Sequence, residues 1–357
     1  MIYYFLLSFY TLKKKYIIYI IMKILHLSYH KGCINDLKFV CNKLNINCEI
    51  LSSFKKFNTN KNLNPLILPD AQHYNITHQR AKMYWDKYKD YFNKFDCIIT
   101  SDTAPLSRIF LQNNWNKKLI IWICNRFDYA HGAGSGFPDK EYYDLIRKAV
   151  KLKNVHIIGY TAFENIYCKN VRNVDIGNNV ITPTGGIGEI YNNFTKKKEL
   201  NDTLFVPPYH NDTKMMNLKG QLETLGFKAY TGRYDGPMDL TNYKAVVHLP
   251  YAWSNLAFFE MFQLGIIYFI PTSEFLLKIA KGRDFFWSPP FIPNFLNISE
   301  WYDKKYKNLL IYFDSWEDLK QKVNTLNYDK HKLKLKKFGK KHTKTILKKW
   351  KEILIKT

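Results

Sequence analysis

The chain has 357 residues and a mass of 42.5 kDa, enough for two domains that each bury a core. A content of 46% hydrophobic and 17% aromatic residues excludes a disordered chain, and the net charge of +24 directs attention to nucleic acid, anionic membrane or an acidic substrate. The six cysteines (Cys33, Cys41, Cys48, Cys97, Cys124 and Cys168) contain no C-x-x-C pair, so they read as reduced core residues of a cytoplasmic protein.

Residues 1–21 hold two apolar runs separated by Lys13, Lys14 and Lys15, each shorter than the roughly twenty residues of a membrane-spanning helix. They read as an N-terminal extension, because MKILHLS from Met22 has the pattern of a first buried strand. From there strands and helices alternate, which predicts an α/β fold with parallel sheets. The order is strand KILHLS, loop YHKG, helix INDLKFVCNKLN, strand CEILS, an aromatic helix over 79–95, strand FDCIITS, a helix over 104–112 and a buried strand over 117–124. A helix over 139–150 and the strand VHIIGYT follow. The glycine-rich NVITPTGGIGE and the polar NNFTKKKELND then break the pattern, so a domain boundary is expected near 185–203, with the first domain over 22–190.

The second domain, 191–327, restarts with strand TLFVPPY, helix MMNLKGQLETLG, strand FKAYTG and loop RYDGPMDL. Residues 243–271, YKAVVHLPYAWSNLAFFEMFQLGIIYFIP, read as strand, turn, helix and strand, with Gly265 ending the helix. After helix EFLLKIAKG, residues 313–326 read as a short strand and a helix capped by Asp314 or Ser315. Residues 328–357 form a basic helical tail. Its apolar stripe is expected to pack on the protein, while its lysines offer a peripheral contact with an anionic membrane.

Ligands of parallel α/β sheets collect beyond the carboxyl ends of the strands, and two stretches bring polar groups there. The first is NRFDYAHGAGSG, where Asn125, Arg126, Asp128 and His131 assemble a cation, a carboxylate and an imidazole suited to proton transfer. Asp128 is the expected base and Arg126 its orienting partner. The second is the turn and helix of 243–271. Ser254 and Asn255 open a helix whose N–H groups suit an anion, Tyr251 and Trp253 offer stacking surfaces, and Glu260 is costly to bury beside Phe258 and Phe259 without a partner. Lys214 and Arg233 stand at neighbouring strand exits as cations for phosphate groups. His30 and Gly32 follow the first strand, and Asp102 the strand FDCIITS. Neither G-x-G-x-x-G nor a Walker motif occurs, since Phe137 takes the third glycine position of the 132–137 run.

FFEMFQLGIIYFIP resembles the donor-site signature of retaining GT-B glycosyltransferases, commonly L-E-A-M-A-x-G-x-P-V-V, with Glu260 matching the glutamate and Gly265 the glycine. NVITPTGGIGE before TLFVPP is similar to that group's V-I-P-N-G-V-D before I-L-F-V-G. The Glu-x7-Glu motif is incomplete, because Ala252 stands where its first glutamate would be. The resemblance covers the architecture from about Met22 to the C-terminus and implies two Rossmann-like domains of GT-B type facing an interdomain cleft, with a basic C-terminal helix. It implies a nucleotide-sugar donor held by Glu260 at the ribose and by Ser254, Asn255, Trp253, Tyr251, Arg233 and Lys214. On the acceptor side it implies His30, Gly32 and Asp102, with the chemistry around Asn125, Arg126, Asp128 and His131. The acceptor would be a glycan, lipid-linked or protein-linked hydroxyl.

No Asp-x-Asp occurs, so metal-independent transfer without a cofactor is expected, with helix N-termini and cations neutralising the diphosphate. Two other readings stand beside it. A non-enzymatic α/β protein would attach to nucleic acid or anionic membrane through its basic surface, although no helix-turn-helix, zinc-finger or RNP signature supports specific nucleic-acid recognition. A GT-B-like nucleotide-sugar epimerase would process donor without acceptor.

Overall fold

The computed structural model describes residues 22–62, 76–128, 139–186, 200–208, 217–234, 236–281 and 296–355, without the side chains of Asn125 and Arg126. The first sheet contains β1 (Ile24–Leu27), β2 (Cys48–Leu51), β3 (Cys97–Thr103), β4 (Lys118–Arg126) and β5 (Val155–Gly159), in the order β2-β1-β3-β4-β5. The second contains β6 (Leu200–Val206), β7 (Lys228–Thr231), β8 (Tyr243–Val247), β9 (Tyr268–Pro271) and β10 (Ile311–Phe313), in the order β7-β6-β8-β9-β10. Every pairing is parallel. Counted within its own unit, each sheet has the doubly wound order 2-1-3-4-5, so strand order reverses between β1 and β3 and again between β6 and β8. Those reversals open crevices at the carboxyl edges.

The strands are apolar without alternation because helices cover both faces of a parallel sheet; Leu119 to Ile123 in β4 are all fully buried. The first unit carries α1 (Lys31–Leu44), α2 (His78–Phe92), α3 (Arg108–Leu111), α4 (Lys140–Ala149) and α5 (Ala162–Arg172). The second carries α6 (Leu218–Thr224), α7 (Leu256–Leu264), α8 (Ser273–Ala280) and α9 (Trp316–Thr325), and α10 (Tyr328–Ile355) closes the chain. Side chains cap several helix starts, satisfying N–H groups that the helix itself leaves open: Thr77, Asp139, Thr161, Thr272 and, for α9, Ser315 rather than Asp314.

Four boundaries differ from the sequence reading. α1 begins at Lys31 because His30 caps it, so Gly32 lies in the first helical turn. Asp102 and Thr103 belong to β3, where a register shift gives Asp102 a φ of 74°. β4 extends through Asn125 and Arg126. Residues 104–112 divide into a 3-10 turn, Ala104–Ser107, and the single turn of α3, as Pro105 near the start of that segment cannot donate to a helical ladder.

α10 buries Leu335, Ile346, Trp350 and Leu354 and leaves its lysines outside, so the apolar stripe packs on the protein. It crosses both units. Trp350 meets Trp122 of β4 edge-to-face at 5.4 Å, and Phe338 meets Phe262 of α7 at 4.8 Å. Gly339 lets the helices approach closely, since a Cβ there would stand 2.9 Å from the backbone of Phe262 and Gln263.

Candidate functional site

The carboxyl edge of the second sheet forms a pocket. Phe205 and Pro207 at the end of β6, Val246 and His248 at the end of β8, Asn255 and Ala257 opening α7, and Tyr234, Tyr268 and Trp301 line this small, partly open pocket. His248 lies 4.5 Å from the Trp301 ring and 5.9 Å from those of Tyr251 and Tyr268, and burial lowers its pKa to about 3, so the imidazole is neutral. Asn255 is the N-cap residue of α7 but makes no side-chain capping bond; its amide lines the pocket instead.

Glu260 lies on α7, just over one turn beyond Asn255. It is partly exposed and makes no hydrogen bond or ion pair with the described residues. Burial, then the neighbouring Asp36 carboxylate, push its pKa up to about 7 against the opposing pull of His30. Burial and then the Glu260 charge raise the hydroxyl of Tyr234, and burial, then Tyr234 and Glu260, raise that of Tyr268. Glu260 therefore borders the aromatic pocket on one side and the first domain on the other.

The first domain reaches this point through α1. A Cβ on Gly32 would stand 2.1 Å from Leu256 Cδ1, so glycine lets the first turns of α1 and α7 touch. At Gly185, φ is +63° and a Cβ would stand 2.2 Å from the Phe259 carbonyl oxygen, so both conformation and space require glycine there. Asp36 is buried on α1 and accepts from the Thr184 amide at 3.0 Å and the Thr184 hydroxyl at 2.6 Å. The Thr343 hydroxyl of α10 donates to the Thr184 carbonyl at 2.9 Å, and Gln263 of α7 donates to Thr343 and to the Gly339 carbonyl. One hydrogen-bond chain thus joins both domains and the C-terminal helix. Burial pushes Asp36 up to about 6, moderated by the Thr184 bonds.

Several sequence-level candidates occupy other roles. Asp128, expected as a base, is 4% exposed and caged: the hydroxyls of Tyr143 and Tyr167 donate to it at 2.6 and 2.9 Å, and Arg172 Nε pairs with it. It anchors the β4 exit to α4 and α5. Trp253, expected against a base or sugar, is buried between the domains, stacked on Phe163 at 4.4 Å and donating to Glu164 Oε1 of α5 at 3.1 Å. Ser254 is wholly buried, whereas Tyr251 is half-buried beside His248. Arg233 is exposed next to Tyr234, and Asp102 is buried at the base of the first crevice. His131, Lys214 and the side chains of Asn125 and Arg126 lie outside the described residues, as do residues 1–21.

Ala252 is buried and its carbonyl accepts from Trp301 Nε1 at 3.1 Å, so a carboxylate there would enter an apolar wall. This accounts for the missing half of Glu-x7-Glu. Sequence reading missed Asp36, Glu164, His248 and Trp301. Asp36 had a signal, a carboxylate among Cys33, Ile34, Leu37 and Val40 on the buried face of α1. His248 had one too, directly after an apolar strand.

Among the described residues no three His, Cys, Asp or Glu side chains converge as a metal site, and no helix is long and apolar enough to cross a membrane. No family model and no curated protein matches the chain. Solved structures do. A glycosyltransferase from Rickettsia africae ESF-5 superposes with a TM-score of 0.53 at 13% identity, over 95% of this chain and 100% of that one. WaaG, a glycosyltransferase involved in lipopolysaccharide biosynthesis, gives 0.49 at 9% identity over 94% and 100%, and a UDP-N-acetylglucosamine 2-epimerase gives 0.48 at 10% over 89% and 90%. At those last two scores the likeness adds nothing further. The twin 2-1-3-4-5 sheets, the helix strapped across both and the likeness to the Rickettsia structure give this chain the GT-B fold, two Rossmann-like domains facing a cleft.

Proposed function

We propose that the chain is a glycosyltransferase that moves a sugar from a nucleotide-sugar to a hydroxyl acceptor. One observation carries this reading: an aromatic pocket at the strand-order reversal of the second sheet adjoins a carboxylate, Glu260, that has no hydrogen-bond partner among the described residues and faces the other domain. The aromatic walls suit a nucleobase and Glu260 suits the vicinal hydroxyls of a ribose, which satisfy a carboxylate that burial otherwise penalises. The opening turn of α7 and Arg233 then face the diphosphate, whose charge a helix N-terminus and a cation stabilise as it leaves, without a metal ion. Lys214 joins them in this reading.

On the acceptor side, His30 is partly exposed at the cleft and close enough to Glu260 to feel its charge. With Asp128 caged, we assign the acceptor proton to His30. The lysine face of α10 supports a peripheral contact with an anionic membrane, which suits a lipid-linked acceptor.

A thermal-shift panel of UDP- and GDP-sugars tests the reading, because a ligand that binds only the native state raises its stability. At least one is expected to stabilise the wild type. Glu260→Ala weakens that ligand by about 10- to 100-fold, the worth of hydrogen bonds to a charged group. His30→Ala leaves the affinity and lowers turnover by about 100-fold or more. Absence of any shift across the panel in the wild type would remove the assignment.

A further inference from the structure

At the acceptor edge of the first domain, the loop after β2 packs against the opening of α1. Lys31, between His30 and Gly32, holds its ammonium 5.0 Å from the centre of the Phe54 ring, and Lys56 holds its own 5.2 Å from that of Phe57. The two rings meet edge-to-face at 6.1 Å. Lys55 and Lys61 stand beside them, exposed like Lys31 and Lys56, with Lys61 Nζ 3.4 Å from the Lys56 carbonyl. The loop is built rather than loose. Asn58 is buried and accepts from the Ser52 amide at 2.7 Å, Thr59 Oγ1 accepts from the Ile50 amide at 2.9 Å, and the Ser52 hydroxyl accepts from the Phe54 amide at 3.2 Å.

Some surface lysines pair with a carboxylate, as Lys82, Lys140, Lys169, Lys219 and Lys322 do, whereas those of this patch, like the exposed lysines of α10, have no such partner among the described residues. None of Lys31, Lys55, Lys56 and Lys61 makes an ion pair among the described residues, and the sequence from Ile50 to Pro69 contains no Asp or Glu at all. Three like charges on a structured loop, with a fourth, Lys31, at the start of α1 over Phe54 of that loop, repel one another unless an anion joins them. The patch borders the cleft, because the neighbouring Gly32 touches Leu256 at the start of α7.

We infer that this patch binds phosphoryl groups on the acceptor, so that the hydroxyl nucleophile belongs to a phosphate-bearing molecule. The inference rests on the glycosyltransferase reading for the word acceptor, but the anion site stands on its own geometry. The ammonium groups neutralise the phosphate, and the faces of Phe54 and Phe57 keep the lysine stems extended over apolar surface. Two sources share this chemistry, a phosphorylated saccharide and the headgroup of a phospholipid-linked acceptor.

The test compares the full chain with two quadruple variants of equal charge loss: a loop variant with Lys31, Lys55, Lys56 and Lys61→Gln, and a helix variant with Lys337, Lys340, Lys341 and Lys344→Gln. Binding of glucose 6-phosphate is read by calorimetry with glucose as the neutral control, and binding of phosphatidylglycerol vesicles by co-sedimentation with phosphatidylcholine as control. The loop variant is expected to lose at least about tenfold in affinity for one of these probes, with the helix variant losing clearly less. Loss confined to glucose 6-phosphate identifies a soluble acceptor, and loss confined to vesicles a lipid headgroup. Equal loss in both variants, no loss in the loop variant, or no binding of either probe by the wild type overturns the inference. A nucleotide-sugar thermal shift run on the same samples keeps the two readings apart. A shift that survives in the loop variant while anion binding is unchanged from wild type sinks this inference alone, and the absence of any shift with anion binding intact sinks the donor reading alone.

Discussion

The two Rossmann-like units share strand order, parallel pairing and the position of their crevices, yet they present opposite chemistry at the same edge. The crevice of the second sheet is walled by Phe205, Tyr234, Tyr268 and Trp301 around a neutral His248. That of the first is bordered by His30 and Asp102, with Asp36 behind them and a lysine patch at its rim. The scaffold fixes where a ligand binds, and the loops after the strands fix what kind. An aromatic pocket beside a carboxylate that has no partner among the described residues suits a nucleoside, whereas an edge rimmed by lysines suits a charged polar molecule.

Disturbing the first unit at Asp128 is expected to have the largest effect, and it should fall on stability. Asp128→Asn breaks a buried ion pair with Arg172 and weakens two tyrosine bonds, so urea unfolding should show a loss of about 3 kcal/mol. Full stability together with abolished transfer would return Asp128 to the role of base. A change at the junction is expected to cost less. Gly185→Ala forces a left-handed φ on alanine and drives its Cβ toward the Phe259 carbonyl, which should lower stability by about 2 kcal/mol and lower the thermal midpoint accordingly. An unchanged midpoint would mean that the two units are not held together at this glycine.

The smallest expected effect sharpens the comparison from the second unit. Glu260 has a folded pKa of about 7, above its ordinary value of 4.5, so the folded protein holds a proton there that the unfolded chain has lost. Its contribution to stability is fully present below pH 4.5 and is lost as pH rises through 7. Glu260→Gln has no such proton to lose. It should match wild type at pH 4.5 and exceed it by about 1 kcal/mol at pH 8, a figure reduced for partial exposure to water. A difference that does not vary with pH would show that Glu260 is already paired in the free protein. Donor added at pH 8 should narrow the gap, since its hydroxyls stabilise the carboxylate.

Much of this was legible in the linear chain. Apolar runs with few charges gave nine of the ten strands among the described residues close to their places, because buried parallel strands must be apolar on both faces. Gly265 ends α7 in a left-handed conformation as its sequence position implied, and Ser315 caps α9. Glu260 stands out in the sequence because a carboxylate among phenylalanines signals a local conflict. Asp128 carried a similar signal with the opposite meaning, and the partners that decide it, Tyr143, Tyr167 and Arg172, lie 15, 39 and 44 residues away.

The sequence by itself determined the alternation of strands and helices, the basic amphipathic tail and the stretch 243–271 that carries Glu260, since each follows from local periodicity and composition. Tertiary structure decided which polar residues face the cleft. Trp253 is a clasp because Glu164 and Phe163 reach it from the other domain, and Ala252 is apolar because Trp301 covers it. Asp36 matters because Thr184, 148 residues away, folds back onto it. A side chain's role depends on what satisfies its charge or hydrogen bonds, and those partners come together only when the sheets, the linker and α10 have packed.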